Sequence, residues 1–302
     1  WGFPHMWMAT VELSLFVFAG VSAWFILKNR NADLFTKLLK PTLLALLIVT
    51  PIQIFIGDSA GKDVAEYQPT SLAAMEGHYH TYLPDGSPNT SWNLIAIPNA
   101  NNDGNLFQIG IPHVLSLLET HTWNGVVKGL DQFPANDRPD VWVPFYAFRA
   151  MVAIGFFLFF VALWGNWLRL RGKLSARELQ KRPWFLRALV LSSLLPFLAI
   201  WTGWWVREIG RQPWLVYGMM RTYEGVSHMS VAQEIVWFAG YIVFELVVWA
   251  GAWYFFTRVI AKGVDDIAPS ETLFHHSEED ESQAGGGHAR PSFAKPVMER
   301  NR

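Results

Sequence analysis

The sequence predicts an all-α protein, a polytopic bundle of transmembrane helices with five spans, a long loop outside the membrane and a polar tail. Composition is the first observation: 51% of residues are hydrophobic and 16% charged, against about a quarter charged in soluble domains. The second is that the apolar residues fall in runs of bilayer length rather than being spread through the chain. The third is an uneven distribution of Lys and Arg between the connections. The formal net charge of −1 gives no footprint for nucleic acid. Cys is absent, which excludes disulfides, iron–sulfur ligation and thioether attachment of a prosthetic group. A metal would have to be held by His, Met, Glu, Asp or main chain.

The spans read as Phe3–Leu27, Leu38–Ile56, Tyr146–Leu168, Trp184–Val206 and Ile235–Phe256. Each is long enough to cross the hydrocarbon as a helix. The domain reading follows: residues 1–57 hold spans one and two, 58–145 the loop, 146–262 spans three to five, and 263–302 a disordered cytoplasmic tail. Residue 1 is Trp, ahead of an apolar run with no basic n-region. The chain therefore reads as a fragment whose upstream part is missing. Lys28, Arg30, Lys37 and Lys40 lie at the connection of spans one and two; seven basic residues, Arg169 to Arg187, lie at that of spans three and four. The 58–145 segment is poor in them, so the positive-inside rule puts the basic connections and the C-terminus in the cytoplasm and the long segment outside. His5, Met151 and Glu208 then share one depth near the outer face.

Span four runs into Gly203-Trp204-Trp205-Val206-Arg207-Glu208-Ile209-Gly210-Arg211-Gln212-Pro213-Trp214. Gly210 and Pro213 end the helix, and Trp204, Glu208 and Arg211 share a face. A carboxylate at a membrane boundary needs a partner or a role. It reads either as an interfacial ion pair with Arg211 or as part of a site. His5, with Met6 and Met8 beside it, reads as a packing histidine or as an iron ligand. His and Met together are an axial pair for a low-spin haem. Met151 alone reads as core filler, and Arg149 as a propionate partner or a snorkelling cation. Glu12, about 10 Å deeper than His5, and Glu245 in span five read as proton relays or as protonated interhelical hydrogen bonds.

In the loop, Gln68 to Gly77 reads as a short helix with Pro69 in its first turn and Gly77 at its end. Leu72, Met75 and Glu76 share a face there. Pro84 to Asn105 reads as irregular. His78, His80, His113, His121 and His228 have no metal-site spacing, and His275, His276 and His288 read as solvated.

Together, Gly210-Arg211-Gln212-Pro213-Trp214, the stretch from Gly57-Asp58 through Gln68 to Leu72-Ala73-Ala74-Met75-Glu76, and Phe148-Arg149-Ala150-Met151 resemble subunit I of the cytochrome bd-type quinol oxidases. The resemblance covers roughly residues 1–262. It implies that the long loop binds quinol, with Glu76, Asp58 and Gln68 as catalytic candidates. It implies a low-spin haem b on His5 and Met151 with Arg149 beside it. A high-spin haem b would sit on Glu208, with Trp204 and Arg211 in its pocket. A third haem, of d type or again b, would complete the set. Iron ligands would thus be His5, Met151 and Glu208. The implied activity is oxidation of ubiquinol or menaquinol with reduction of O2 to water in the bacterial inner membrane, alongside a second membrane subunit. Ser71 stands where the family often has Lys, and the loop is of the shorter kind. The family's N-terminal part, with four spans and another haem-ligating His, is not in this sequence. From another class, the membrane carboxylates Glu12, Glu208 and Glu245 also fit a proton-coupled transporter, and a haem-free assembly subunit is a third reading.

Overall fold

The computed structural model describes residues 1–262 apart from Ala100, Asn102 and His228. The expected tail, with His275, His276 and His288, lies outside the described residues, as does His228. Five helices among the described residues are long and apolar enough to cross a membrane. They are α1 (Gly2–Leu27), α2 (Ala32–Tyr67), α5 (Trp142–Leu170), a fourth made of α7 (Pro183–Ser192) followed by α8 (Leu195–Gly210), and α9 (Val231–Lys262). Two compact units divide the chain at residue 234. The second, from residue 235, carries most of α9, a continuous apolar helix.

In the first unit α1 packs on α2 and α7, and α5 packs on α2 and α8. Phe16, Phe25, Leu39, Leu43, Phe185 and Leu189 are fully buried between them. Polar side chains inside this core have no water to turn to, so each needs an internal partner. Asn166 donates to the Leu43 carbonyl at 2.6 Å and to the Ala162 carbonyl at 2.9 Å, tying α5 to α2. Ser22, Thr42 and Thr50 donate to carbonyls one turn earlier in their own helices, which satisfies the hydroxyl locally.

The fourth span is interrupted. Pro196 cannot donate to the Ser192 carbonyl and its ring crowds that turn. The chain answers with tighter i−3 bonds, Ser193 N to Val190 O at 3.2 Å and Leu194 N to Leu191 O at 3.1 Å. Helix α2 differs from expectation at its other end. It runs on to Tyr67, so Asp58 stands on a helix, not in a loop.

The loop is more ordered than its composition suggests. α3 (Pro69–Glu76) forms where Pro69 and Gly77 predict it, and Gly77 closes it at φ 60°, a left-handed value that suits glycine. The stretch expected to be irregular contains most of an antiparallel hairpin, β1 (Trp92–Pro98) with β2 (Asn105–Ile111). The missed signal is alternation: Ile95-x-Ile97 and Phe107-x-Ile109-x-Ile111 have the period of a strand. α4 (Val114–Thr120) and two 3₁₀ turns, Leu130–Gln132 and Ala135–Asp137, lead to α5. α6 (Ala176–Gln180) lies in the basic connection, its Glu178 amide capped by the Ser175 hydroxyl at 3.3 Å. Beyond α8, β3 (Trp214–Val216) and β4 (Met220–Arg221) make a small hairpin. Arg221 pins it to the loop through an ion pair with Asp137, and within the hairpin it stacks on Trp214, 4.5 Å from the ring centre.

Candidate functional site

Glu76 ends α3 with only 4% of its surface exposed. Its neighbours on α3 are buried all round, Ala73 and Ala74 against Phe145 and Leu130, Leu72 and Met75 against Leu115 and Val127. A carboxylate so placed is costly without a counter-charge. Arg149 of α5 supplies it, Nη2 standing 2.6 Å from Glu76 Oε2. The Trp92 side chain nearby also favours the charged carboxylate. Burial pushes the Glu76 carboxyl above its ordinary value, against the pull of Arg149 and Trp92.

Arg149 is itself fixed. Its Nε donates to the Asn93 carbonyl at 2.6 Å. Its guanidinium lies 4.8 Å from the ring centres of both Trp92 and Phe145 and 5.2 Å from that of Phe148. Asn93 closes the circle, donating to the Gly77 carbonyl at 3.1 Å. Arg149 Nη1 is buried without a hydrogen-bond partner among the described residues. The guanidinium therefore has a donor left for an anionic group, while its main partner is Glu76.

Asp58 and Gln68 lie apart from that pair. Asp58 Oδ2 is 2.6 Å from Lys62 Nζ one turn on, both a third exposed. Gln68 joins α2 to α3, and its carbonyl accepts from Ser71 N and Leu72 N. A small cleft lined by Gln68, Thr70, Ser71, Arg211, Trp214 and Tyr217 connects it to the end of the fourth span.

The three iron-ligand candidates lie on different helices. His5 turns toward α2: a Cβ placed on Gly57 would meet its Cε1 at 3.2 Å. Gln53 Nε2 donates to the His5 carbonyl at 3.2 Å and stands 3.4 Å from His5 Nδ1, which holds the ring in place beside α2. Met151 faces α8, where a Cβ on Gly203 would lie 3.1 Å from its sulfur. A glycine here leaves room for the thioether. Residues His5 and Met151 thus suit a haem by donor chemistry.

Glu208 is paired with Arg211 and 46% exposed; Trp204 is 47% exposed. Arg211 Nε is buried without a partner among the described residues. Glu208 and Arg211 thus form an ion pair.

One carboxylate escaped the sequence reading. Glu119 of α4 faces α2, its Oε1 4.0 Å from where a Cβ on Gly61 would stand, and its Oε2 is buried without a hydrogen-bond partner among the described residues. Burial, then the charges of Glu76 and Asp58, raise it to about 7, with Lys62 opposing. A lone Glu in a polar loop gives no spacing by which to single it out. His78 is buried, bonded through Nε2 to the Val127 carbonyl at 3.0 Å, and burial lowers its pKa. His113 stacks on Trp123 at 4.8 Å. Glu12 is buried in α1.

The family model described as cytochrome bd terminal oxidase subunit I matches residues 1–264. The chain is 30% identical over 276 residues to cytochrome bd ubiquinol oxidase subunit 1 of Bacillus subtilis (strain 168), covering 87% of this chain and 56% of that protein. It is 26% identical over 298 residues to cytochrome bd-II ubiquinol oxidase subunit 1 of Escherichia coli (strain K12), covering 76% and 56%. Among solved structures, that of bd oxidase from Geobacillus thermodenitrificans aligns with a TM-score of 0.67 at 29% identity, over 82% of this chain and 55% of that one. The chain spans about half the length of the curated relatives it matches.

Proposed function

The chain belongs to the cytochrome bd terminal oxidase subunit I family, and from that premise we propose that it forms the quinol-oxidising, haem-carrying part of a respiratory oxidase that reduces O2 to water. The observation that carries the reading is the buried Glu76–Arg149 pair, two residues along α5 from Met151. Ubiquinol or menaquinol, entering from the bilayer, gives up two electrons and two protons. Glu76 accepts one of those protons from a quinol hydroxyl; burial, which raises its pKa, suits a carboxylate to that exchange. Arg149 orients the carboxylate. Asp58 and Gln68, on α2 and at its end, stand apart from that pair.

His5 and Met151 would hold a low-spin haem b, Glu208 a high-spin haem b with Trp204 and Arg211 beside it, and a third haem of d or b type would complete the enzyme. A haem bound on His5 and Met151 supplies a one-electron acceptor. Gln53 orients the His5 ring, and the donors left on Arg149 and Arg211 suit carboxylates of a bound group. A second membrane subunit completes the enzyme in the bacterial inner membrane. The poverty of basic residues in the loop supports an extracytoplasmic quinol site and a cytoplasmic C-terminus.

Glu76→Gln keeps the side chain's size and removes its charge. In the intact oxidase it should lower quinol turnover by about 10²–10⁴-fold, the range of a positioned base, while electron entry from a small artificial donor persists. Equal loss with both donors would mean a folding defect and overturn the assignment. Glu208 has a second reading, favoured by its pairing with Arg211: an interfacial ion pair without a haem.

A further inference from the structure

The β1–β2 hairpin has two unlike faces. Register pairs Ile95 with Ile109 and Ile97 with Phe107, and opposed residues of an antiparallel pair share a face. Ile111, two on from Ile109, joins them. All five are 40 to 54% exposed. The opposite face carries Ala96, which is fully buried in the cluster with Phe145 and Ala73, and its strand neighbour Asn93 bonds to Gly77. β1 thus packs through Ala96 and Asn93 against α3 and α5, while Ile95, Ile97, Phe107 and Ile109 turn outward. Asp103, near the tip, is the sole charged residue between Trp92 and Ile111.

The depth of this face is set by α5. Trp142 and Tyr146, in the first turns of that membrane helix, are 42 and 41% exposed, with ring centres 5.6 Å apart. Exposed Trp and Tyr at the end of a span mark the level of the lipid headgroups. The Tyr146 hydroxyl donates to the Ala96 carbonyl at 2.8 Å, and Arg149, one turn deeper, donates to the Asn93 carbonyl. β1 is therefore bonded to α5 at the aromatic belt itself. A docking surface for protein would carry a polar rim and hydrogen-bonding groups; these five side chains offer none.

We propose that the apolar face of the β1–β2 hairpin is seated in the bilayer surface, its isoleucines and Phe107 among the headgroups and upper acyl chains of the leaflet on the loop's side. The hairpin is a shallow lipid anchor for the loop. It holds Trp92 and Asn93 over Glu76 from the membrane side. The inference rests on register, exposure and the belt, and stands whether or not Glu76 serves a quinol.

The chain has no Cys, so Ile97→Cys places a single thiol on this face. The intact oxidase carrying it is labelled with an environment-sensitive nitrobenzoxadiazole dye and reconstituted in phosphatidylcholine–phosphatidylglycerol nanodiscs. The unsubstituted complex, labelled alike, sets the background from other subunits. Relative to the same dye at exposed Lys128→Cys, emission should shift to the blue. Lipids with a nitroxide high on the acyl chain should quench it several-fold more strongly, and aqueous iodide less. Ile109→Cys should repeat the contrast from the second strand, which guards against local unfolding at one position. Iodide quenching equal to that at Lys128 would put the hairpin in water and overturn the proposal. Resistance to both quenchers would mean that protein covers the face, and overturns it equally.

Discussion

Glu119 makes the loop sensitive to pH. Its folded pKa of about 7 stands above the ordinary carboxylate value. Between the two values the folded chain holds a proton that the unfolded chain has lost, so stability falls as pH rises through that window. Hydrogen exchange in the intact complex should show the protection of α4 decreasing from about pH 5 to about pH 7. Glu119→Gln, which cannot ionise, should flatten the profile; an unchanged slope would assign it to another group. Asp58 and Lys62, which face Glu119 from α2, already offset each other in an ion pair. At this scale the sequence was legible where a residue stood inside a motif. Glu76 and Arg149 were both singled out, but their pairing was not, because 73 residues separate them and only the fold closes that distance.

Short elements of the loop stand on single residues. Gly77 ends α3 in the left-handed region, and a Cβ there would meet Phe145 Cδ2 at 3.1 Å. Gly77→Ala therefore adds a contact with a fully buried ring to a backbone cost of about 1 kcal/mol. Gly86, also at positive φ, has nothing within 4 Å of an added Cβ, so Gly86→Ala bears the backbone cost alone. The unfolding midpoint of the intact complex should drop more for Gly77→Ala; equal drops would mean that Phe145 yields freely. α3 was legible because Pro and Gly act at fixed positions of any helix. β1 and β2 were not, because Asn and Pro around them outweighed seven-residue alternations whose pairing partner lies across a turn. The break before Pro196 shows the opposite limit: apolar content foretold the span but not the altered turn within it.

The bundle as a whole places His5, Met151 and Glu208 toward the loop-bearing end, on α1, α5 and α8. Haem stoichiometry in the intact oxidase tests these assignments together. His5→Ala should remove the low-spin b signal, and Met151→Leu should turn it high-spin or lower its potential, since an axial thioether raises it. Glu208→Gln should deplete the high-spin b haem and leave the other in place; full retention of both would favour the Arg211 ion pair. Span number was readable from hydropathy alone, but each helix runs past the bounds read for it, α2 most of all. That helix has 36 residues, a length of about 54 Å against about 30 Å of hydrocarbon, and its last turn leads directly into α3. The excess of about 24 Å is divided between its two charged ends, Asp33 to Lys40 and Asp58 to Glu66, and Arg149 keeps Glu76 beside the membrane end of α5.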